Sequence, residues 1–461
     1  MNYRSYFDHL DMAALRRDHP VGPDFAATFS GMSRDELRAR QEALFARLMA
    51  RAWQVPFYRR HWRAKGIEPG DIRGLDDLSR LPPYSKSDLM RSVEEHPPFG
   101  DFHGLDGYAE GDRPPMILQT TSGTTGKPQP LLYGPKSREV QALLLGRLYL
   151  LQGMRRDDIV HSVYGHGMVN GGHYVREALT HWVGAPLLSA GTGVETRSAN
   201  QVRLMHDFGA TAIVGFGDYI KRLAQVARDE GLEPGRDIPV RLISGHLGAE
   251  TAESMSAAWG GAAVVDWYGV GDTGIIAGEI APGDGMIVWE DAQYLELLDV
   301  DSGAPVAEGA VGDMVCTCLY KDDVFPIIRF NTHDVTREVR GENTLDLPFR
   351  RIAGFLGRSD NMVKLRGINV YPQGIGALIA AEFPQATGEF FCEVRRDADR
   401  EGMTAVVEAQ PQDDAMRQAM EALLRARLGV GIDVRLVAPG ETAPVTQIEQ
   451  RQKPIRLVDA R

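Results

Sequence analysis

The clearest chemistry in this sequence lies in a short segment that is rich in hydrogen-bond donors. After the apolar residues 115–118 come two glycines, several hydroxyl side chains and one lysine. Glycines expose backbone N–H groups, and the hydroxyls and the lysine add donors and positive charge, a combination that suits polyphosphate. The spacing is not that of a Walker loop, and a flexible surface loop is the alternative. The predicted phosphate-binding residues are Thr121, Ser122, Gly123, Thr124, Thr125, Gly126 and Lys127.

A second segment, from Asp266 to Asp272, follows an apolar run at 264–265. A tyrosine before a glycine at the end of a strand can present its ring to a purine, as Tyr268 would beside Asp266 and Trp267. The Asp272 carboxylate, four residues after Tyr268, could then reach Mg2+ on the phosphates. The alternative is a turn beside a core tyrosine.

The first segment resembles the phosphate-binding signature of adenylate-forming enzymes, which include acyl-CoA synthetases, peptide-synthetase adenylation domains and luciferases. Residues 357–372 resemble a long pattern, Gly-Arg-x-Asp-Asp-Met-Ile-Lys-x-Arg-Gly-x-Asn-Val-Phe-Pro, that is typical of the phenylacetate-CoA ligase branch. Residues 329–334 resemble Arg-Tyr/Phe-x-Thr-x-Asp, and residues 451–459 resemble Gly-Lys-x-x-Arg-Val-x-Asp. Residues 83–89 also resemble, with tighter spacing, a Pro-Tyr/Phe-x-x-Lys-x-x-Leu stretch that precedes the phosphate loop in this branch. In the order of the chain these motifs span about 84 to 459, so the resemblance covers nearly the whole sequence.

The resemblance implies a nucleotide site built from several of these segments. Asp334 would bind the ribose hydroxyls, since a carboxylate accepts two hydrogen bonds from a vicinal diol, and Arg358 would touch ribose or phosphate. Arg329 is expected to brace its loop. The adenine edge would face a short loop that consists of Gly248, Ala249 and Glu250.

The same resemblance implies a moving C-terminal part. Asp360 would lie at an interdomain hinge, and Gly367 would let a loop approach the acyl-adenylate and the pantetheine thiol. Lys453 would be the adenylation lysine. This sequence departs from the family at several of these motifs: Gly271 replaces a hydroxyl residue, Asp272 a glutamate, Thr251 a proline and Gln452 a glycine.

The acid is expected to lie between segments that follow three strands, at 164–173, 215–219 and 244–247. Aryl-acid relatives tend to place apolar side chains in the first segment, whereas this chain has two histidines and an asparagine there. That polarity indicates an acid that is small or bears a polar group, although each histidine could simply be structural, the reading we favour for His173. The predicted pocket residues are Tyr164, His166, Gly167, Gly245, His246 and Gly271.

The function that the resemblance implies is an AMP-forming acyl-CoA ligase that uses ATP, Mg2+ and coenzyme A. Its substrate would be a small or aromatic carboxylic acid, with a hydroxyl group as one option. One alternative is an enzyme that loads a separate carrier protein, and another is an inactive adenylate-binding module. A homodimer is a further option for its assembly.

Strands and helices alternate between 115 and 320, which predicts an α/β fold with a largely parallel sheet. Antiparallel β structure is expected at 286–299 and 312–320, and helices at 136–153, 173–183 and 198–208. Beyond 358 the pattern changes to that of a small α+β unit. We therefore expect a large domain over 1–358, with mostly parallel sheets and a β subdomain, and a small mobile lid over 359–461.

The composition limits the other classes of function. A net charge of −12 and a pI near 5.5 disfavour a general nucleic-acid binder. Three cysteines indicate a reducing compartment, and Cys316 and Cys318 are expected in the core of one strand. With no signal peptide and no long apolar run, the sequence predicts a cytoplasmic protein without a membrane span.

Overall fold

The computed structural model describes residues 4–121, 127–248, 250–341, 345–366, 368–397, 400–448 and 454–461. A helical layer opens the described chain. Ser33 caps its longest helix, because its backbone N–H donates to the Glu36 carboxylate at 2.9 Å and its hydroxyl accepts from the Glu36 N–H at 3.2 Å. The α-helices of this layer are α1 (Met12–Asp18), α2 (Pro23–Phe29), α3 (Arg34–Ala52), α4 (Pro56–Arg63) and α5 (Lys86–Glu95).

The alternating pattern that follows forms the α/β part of the fold. A hairpin of two antiparallel strands, β1 and β2, precedes it. The elements are β1 (Ile117–Thr120), β2 (Pro130–Tyr133), α6 (Pro135–Leu151), β3 (Val160–Ser162), α7 (Asn170–Glu177), β4 (Leu187–Ser189), α8 (Ser198–Phe208), β5 (Ala212–Phe216), α9 (Gly217–Asp229), β6 (Leu242–His246), α10 (Ala252–Ala258), β7 (Ala263–Val270), β8 (Gly274–Glu279) and β9 (Met286–Val288).

A β-rich region comes next, and it supplies a second sheet. Its strands are β10 (Gln293–Leu298), β11 (Gly312–Cys318), β12 (Phe330–Thr336), β13 (Glu338–Val339), β14 (Arg351–Ile352) and β15 (Gly357–Arg358). Strands β10, β11, β12 and β15 form a four-stranded antiparallel sheet. Cys316 and Cys318 are fully buried in β11, as the sequence predicts.

The central sheet has nine strands in the order β13-β14-β9-β8-β7-β6-β5-β3-β4. Strands β4, β3, β5, β6 and β7 are parallel, and the remaining pairs are antiparallel. In a parallel sheet the carboxyl ends of the strands meet at one edge, where α/β proteins bind their ligands. The loops after β3, β5, β6 and β7 therefore converge on one crevice.

The C-terminal unit has its own core, which includes Val363, Ile375, Phe390 and Met420. Its four-stranded sheet has the order β20-β19-β18-β21, preceded by the hairpin β16-β17. This separate α+β unit confirms the predicted fold class of a large α/β part with a β subdomain and a small C-terminal part. Its elements are β16 (Val363–Leu365), β17 (Ile368–Val370), α11 (Pro372–Glu382), β18 (Ala386–Asp397), β19 (Arg400–Ala409), α12 (Asp414–Leu428), β20 (Asp433–Val437), α13 (Ala443–Thr446) and β21 (Leu457–Asp459).

Two predicted elements differ from the structure. Residues 286–299 form antiparallel β structure as predicted, but in two strands, because β9 joins the central sheet and β10 the four-stranded sheet. Between them the buried carboxylate of Asp291 receives two hydrogen bonds from Arg147 of α6, at 2.9 and 2.8 Å, which anchors a turn. The helix expected at 173–183 begins at Asn170, and its last turns, Ala178–Val183, are π-helical.

Within the part of the chain that the structure describes, no helix has the length and apolar character needed to cross a bilayer.

Candidate active site

The predicted phosphate loop is flanked in the sequence by β1 and β2, which pair as antiparallel strands. Strand pairing fixes its base: the Thr121 N–H donates to the Gln129 carbonyl at 3.1 Å, and the Gln129 N–H donates to the Thr121 hydroxyl at 3.1 Å. Lys127 is exposed at the other end of the loop. The predicted residues Ser122, Gly123, Thr124, Thr125 and Gly126 lie outside the described residues.

Asp272 lies beneath this hairpin, in the turn after β7. Its carboxylate accepts a hydrogen bond from Gln129 Nε2 at 2.6 Å, which joins the turn to the base of the phosphate loop. Burial raises the pKa of Asp272 to about 6, and the neighbouring Lys321 opposes that shift. Lys321 is itself fully buried and donates to the Leu132 carbonyl of β2 at 3.1 Å.

The donor set at Asp272 fits a magnesium ion that is shared with substrate. Mg2+ is usually held by one or two carboxylates together with substrate phosphates, rather than by a protein cage. Among the described residues no group of three or more His, Cys, Asp or Glu side chains is arranged to hold a metal. The Asp272 carboxylate, which is bonded to Gln129 beside the predicted phosphate loop, has the chemistry of a ligand to such a nucleotide-borne ion.

Four residues of the predicted nucleotide site form one connected chain of hydrogen bonds. The Tyr268 hydroxyl donates to Asp334 Oδ2 at 2.7 Å, and Arg358 Nη1 donates to Asp334 Oδ1 at 2.7 Å. Arg358 also donates through Nε and Nη2 to Asp360, at 2.8 and 2.5 Å. The chain runs from the buried end of β7 to the exposed start of the loop before β16, so it links the predicted ribose site to the predicted hinge.

Arg329 braces the start of β12, the strand that carries Asp334, as the sequence predicts. Its guanidinium donates to both carboxylate oxygens of Glu296 at 2.9 Å and to the carbonyl of Ser79 at 3.1 Å. Its backbone has a φ of +56°, a left-handed conformation that non-glycine residues seldom adopt. These bonds hold Arg329 and the start of β12 to β10 and to the segment before α5.

Residues predicted to form the acid pocket belong to a cluster of aromatic rings at the carboxyl ends of the parallel strands. Tyr164 lies 5.1 Å from Phe216 and 6.1 Å from His246, measured between ring centroids. The His246 ring lies 4.1 Å from the Trp267 ring, and its Nδ1 is 2.8 Å from the Trp267 carbonyl. Tyr174 of α7 closes the cluster, 6.2 Å from Trp267.

Trp267 is predicted to contact the nucleotide, but its ring lies among these pocket residues. Successive side chains of a strand point to opposite faces, so Tyr268 faces Asp334 while Trp267 faces His246. Asp266 is half-buried and accepts from the Trp267 N–H at 2.7 Å. Burial, and to a lesser extent the nearby Glu279, raises the pKa of Asp266 to about 7.

Glycines allow the close approaches around this pocket. Gly215 and Gly245 pair in register on β5 and β6, and a Cβ on Gly245 would lie 1.9 Å from the Gly215 carbonyl oxygen. A Cβ on Gly271 would lie 2.7 Å from the Leu131 side chain. Gly245 and Gly271 are therefore packing positions, whereas Gly167 is exposed and open.

His166 lies two residues after Tyr164, and among the described residues one of its ring nitrogens lacks a hydrogen-bond partner. Within the described part of the chain its Nε2 is buried and has no hydrogen-bond partner. Burial and the neighbouring His173 lower the pKa of His166, so its imidazole is neutral near pH 7. His173, in contrast, is 2.7 Å from the Gly167 carbonyl through its Nε2, the structural role that the sequence favours.

The loop predicted to face adenine is fixed by an ion pair. Gly248 has a φ of +66°, and Ala249 lies outside the described residues. The Glu250 carboxylate accepts from Lys221 of α9 at 2.7 and 3.0 Å, so its side chain is already occupied. The Glu250 side chain is therefore not free to read a base, and its N–H is also occupied, since it donates to the Leu247 carbonyl at 3.1 Å.

Gly367 and Lys453, which are predicted to act in a moving C-terminal part, lie outside the described residues.

The structure adds Gln129, Phe216, Tyr174 and Lys321, which the sequence does not single out. Phe216 belongs to a segment that sequence analysis assigns to the pocket. Gln129 and Lys321 carry no local signal, because their roles depend on contacts with Asp272 and Leu132 far along the chain.

Comparisons with known proteins agree with these motifs. The family profile of the AMP-binding enzyme C-terminal domain matches residues 367–461. The phenylacetate-coenzyme A ligase of Aromatoleum evansii is 30% identical over 434 residues, which cover 90% of this chain and 93% of that protein. The phenylacetate-coenzyme A ligase of Thermus thermophilus is 31% identical over 446 residues, or 89% of this chain and 94% of that protein.

Solved structures of 2-hydroxyisobutyryl-CoA ligase have a similar fold, and their degree of similarity to this chain depends on the state that is compared. Its postadenylation state with R3-HIB-AMP has a TM-score of 0.80 at 25% identity, covering 96% of this chain and 94% of that one. Its thioesterification state with 2-HIB-AMP and CoA has a TM-score of 0.66 at 27% identity over the same shares. The arrangement described here is thus more similar to the postadenylation state.

Proposed function

The chain belongs to the phenylacetate-coenzyme A ligase family of adenylate-forming enzymes, and we propose that it joins a small or aromatic acid with a polar substituent to coenzyme A. Membership in this family makes it an AMP-forming carboxylic acid–CoA ligase that forms an acyl-adenylate. Membership does not specify the class of acid, which is inferred from the residues around the predicted pocket. The observation that carries it is the unpartnered, buried Nε2 of His166, two residues after Tyr164, which belongs to a cluster of aromatic rings.

The pocket favours this class of acid for a physical reason. Aromatic rings stabilise an apolar or aromatic body of the substrate, while a buried polar atom without a partner costs free energy. A hydroxyl or similar group on the acid would supply the missing partner of His166 Nε2. The pocket residues in this proposal are Tyr164, His166, Gly167, Phe216, His246 and Trp267.

The adenylation half-reaction brings two anions together, the carboxylate and the α-phosphate of ATP. The phosphate hairpin, from Thr121 to Lys127, would hold the β- and γ-phosphates that leave as pyrophosphate, and Lys453 would bridge the carboxylate and the α-phosphate. Asp334 and Arg358 would hold the ribose, and backbone groups at 248–250 would face adenine. Mg2+, held with the help of Asp272, would supply charge neutralisation at the phosphates.

The second half-reaction transfers the acyl group to the thiol of coenzyme A. One site that serves two steps requires a moving part. We propose that the unit from 359 to 461 is this lid, that Asp360 is its hinge and that Gly367 lies in the loop of the thioester step. The higher TM-score with the postadenylation state supports the assignment of the described arrangement to the first half-reaction.

A panel of acids tests the proposal. The protein is incubated with ATP, Mg2+, each acid and either coenzyme A or a carrier protein, and the products are identified by mass. Acyl-CoA from a small or aromatic acid with a polar group is the expected product. Acyl transfer to the carrier protein alone would indicate a carrier-loading enzyme, and no product with any acid would indicate an inactive adenylate-binding module.

A further inference from the structure

Arg456 occupies a junction in the C-terminal unit. It donates to both carboxylate oxygens of Glu389, at 3.0 and 3.1 Å, and to the Phe390 carbonyl at 2.7 Å. Its guanidinium also lies 4.7 Å from the centroid of the Phe390 ring. These contacts with β18 hold Arg456 rigidly at the start of β21, three residues after Lys453 in the sequence.

The same guanidinium faces a carboxylate of the large α/β part. Arg456 Nη2 lies 3.6 Å from Asp218 Oδ2, in the first turn of α9. Next to it, a Cβ on Gly388 of β18 would lie 3.1 Å from Glu250 Oε1, so the strand also approaches the predicted adenine loop. Lys221, which pairs with Glu250, completes the charged groups on this side.

We propose that the Asp218–Arg456 pair docks the C-terminal unit on α9 during adenylation and thereby positions the segment that carries Lys453. This inference rests on the proposed function, in which Lys453 acts in the first half-reaction only. Asp218 is then a positioning residue, since it acts through Arg456 and not on the substrate. No motif of the sequence assigns it this role.

The charges around the Asp218–Arg456 contact favour a reversible ion pair, as a C-terminal unit that must leave α9 in every turnover requires. Two cations, those of Arg456 and Lys221, face three carboxylates, those of Asp218, Glu250 and Glu389. The Asp218–Arg456 pair therefore forms against repulsion between Asp218 and the other two carboxylates. Burial raises the pKa of Asp218 to about 6, and Arg456 opposes that shift. An ion pair of 3.6 Å in this setting is a weak, reversible contact rather than a permanent bridge.

The variant Asp218→Asn removes the charge and keeps the size of the side chain. The exchange of pyrophosphate into ATP, which reports adenylation, should slow by roughly three- to tenfold, the range of a partly exposed ion pair. Thioester formation from preformed acyl-adenylate should be unchanged. Asp229→Asn, at the opposite end of α9, is the matched control and should change neither rate.

A double-mutant cycle separates this contact from general damage to the fold. If Asp218 and Arg456 act through one contact, Asp218→Asn should cause no additional loss in an Arg456→Gln background. Unchanged melting temperature of Asp218→Asn shows that folding is intact. Equal loss of both half-reactions in Asp218→Asn, or fully additive losses in the cycle, would overturn the inference.

Hydrogen–deuterium exchange tests the contact independently of any substrate. Asp218→Asn should increase exchange next to Arg456 and its partner Glu389, and Asp229→Asn should not. Exchange that is identical in the wild type and both variants would overturn the docking contact even if no acid were found. Failure of the proposed function, in contrast, would appear as a wild type that is inactive with every acid.

Discussion

The Tyr268 hydroxyl lies 2.7 Å from Asp334 Oδ2, although the two residues are 66 positions apart in the chain. The bond joins the end of β7 in the central sheet to β12 in the four-stranded sheet. Both side chains are buried, and Arg358 donates to the other oxygen of the carboxylate. The predicted purine-facing ring and the predicted ribose-binding carboxylate are thus held in fixed relation before nucleotide binds.

Tyr268→Phe removes this hydrogen bond and keeps the ring. We expect the Michaelis constant for ATP to rise by roughly tenfold or more, since a hydrogen bond to a charged group contributes about 1.5–3 kcal/mol. The constant for the acid should not change. Tyr294→Phe is the control, because that half-buried hydroxyl accepts a hydrogen bond from Arg38 at 3.3 Å, far from the site. Equal effects of both variants would contradict the role of Tyr268.

Asp272→Asn should weaken the use of Mg2+ and also stabilise the fold at pH 7. Burial raises the pKa of Asp272 to about 6. The free energy of unfolding that it contributes is therefore greatest below its unfolded pKa near 4 and falls as the pH rises through about 6. An uncharged Asn avoids that loss, and we expect a net gain on the order of 1 kcal/mol, which is less than the full cost of burying the charge because Lys321 loses a partner.

Two measurements check this prediction. The Mg2+ concentration for half-maximal activity should rise in Asp272→Asn, and in the wild type it should rise as the pH falls below about 6. Chemical denaturation at pH 7 reports the change in stability. An unchanged Mg2+ dependence would assign the metal to other residues, and a lower stability would show that the Lys321 pairing outweighs the burial of the charge.

Lys453→Ala should slow acyl-adenylate formation greatly and leave thioester formation from preformed acyl-adenylate largely intact. The reason is that its charge is needed only where the carboxylate meets the α-phosphate. Pyrophosphate exchange and single-turnover thioester formation measure the two steps. Lys65→Ala, at an exposed lysine after α4, is the control. A comparable loss in both half-reactions would remove Lys453 from the adenylation step.

His166→Phe should lower kcat/KM for an acid with a polar substituent. The loss should correspond to about 1–3 kcal/mol of transition-state stabilisation, the usual cost of an unpaired polar group. An apolar acid of the same shape should lose less, or gain. The ratio of kcat/KM for the two acids is the measurement. His206→Phe, at an exposed histidine of α8, is the control. A ratio that His166→Phe leaves unchanged would mean that the histidine only positions its loop.

The sequence predicts the fold class because its signals are local. The capping box at Ser33, the alternation of strands and helices and the change beyond 358 each depend on neighbouring residues, and the structure confirms the α/β fold with a small C-terminal unit. The separation of β9 from β10 could not be predicted. It depends on Asp291 meeting Arg147 of α6, a buried pair that no local pattern contains.

The same distinction holds at the site. Motif spacing brings Tyr268, Asp334, Arg358 and Asp360 to attention, and the structure joins all four. Motif spacing does not reveal that the alternation of side chains along β7 turns Trp267 toward His246. Contacts that span the two units, such as Arg456 with Asp218, depend on how the units meet and carry no sequence signal.

The central claim is that the acid is activated as an acyl-adenylate, and isotope transfer from the acid tests it most directly. The wild-type protein is given ATP, Mg2+, coenzyme A and an acid that it uses, with both carboxylate oxygens labelled with heavy oxygen. If the carboxylate attacks the α-phosphate, one heavy oxygen must leave in AMP when the thioester forms. The account predicts acyl-CoA together with AMP that carries one heavy oxygen. Acyl-CoA formed with unlabelled AMP, or with the label in inorganic phosphate beside ADP, would contradict it.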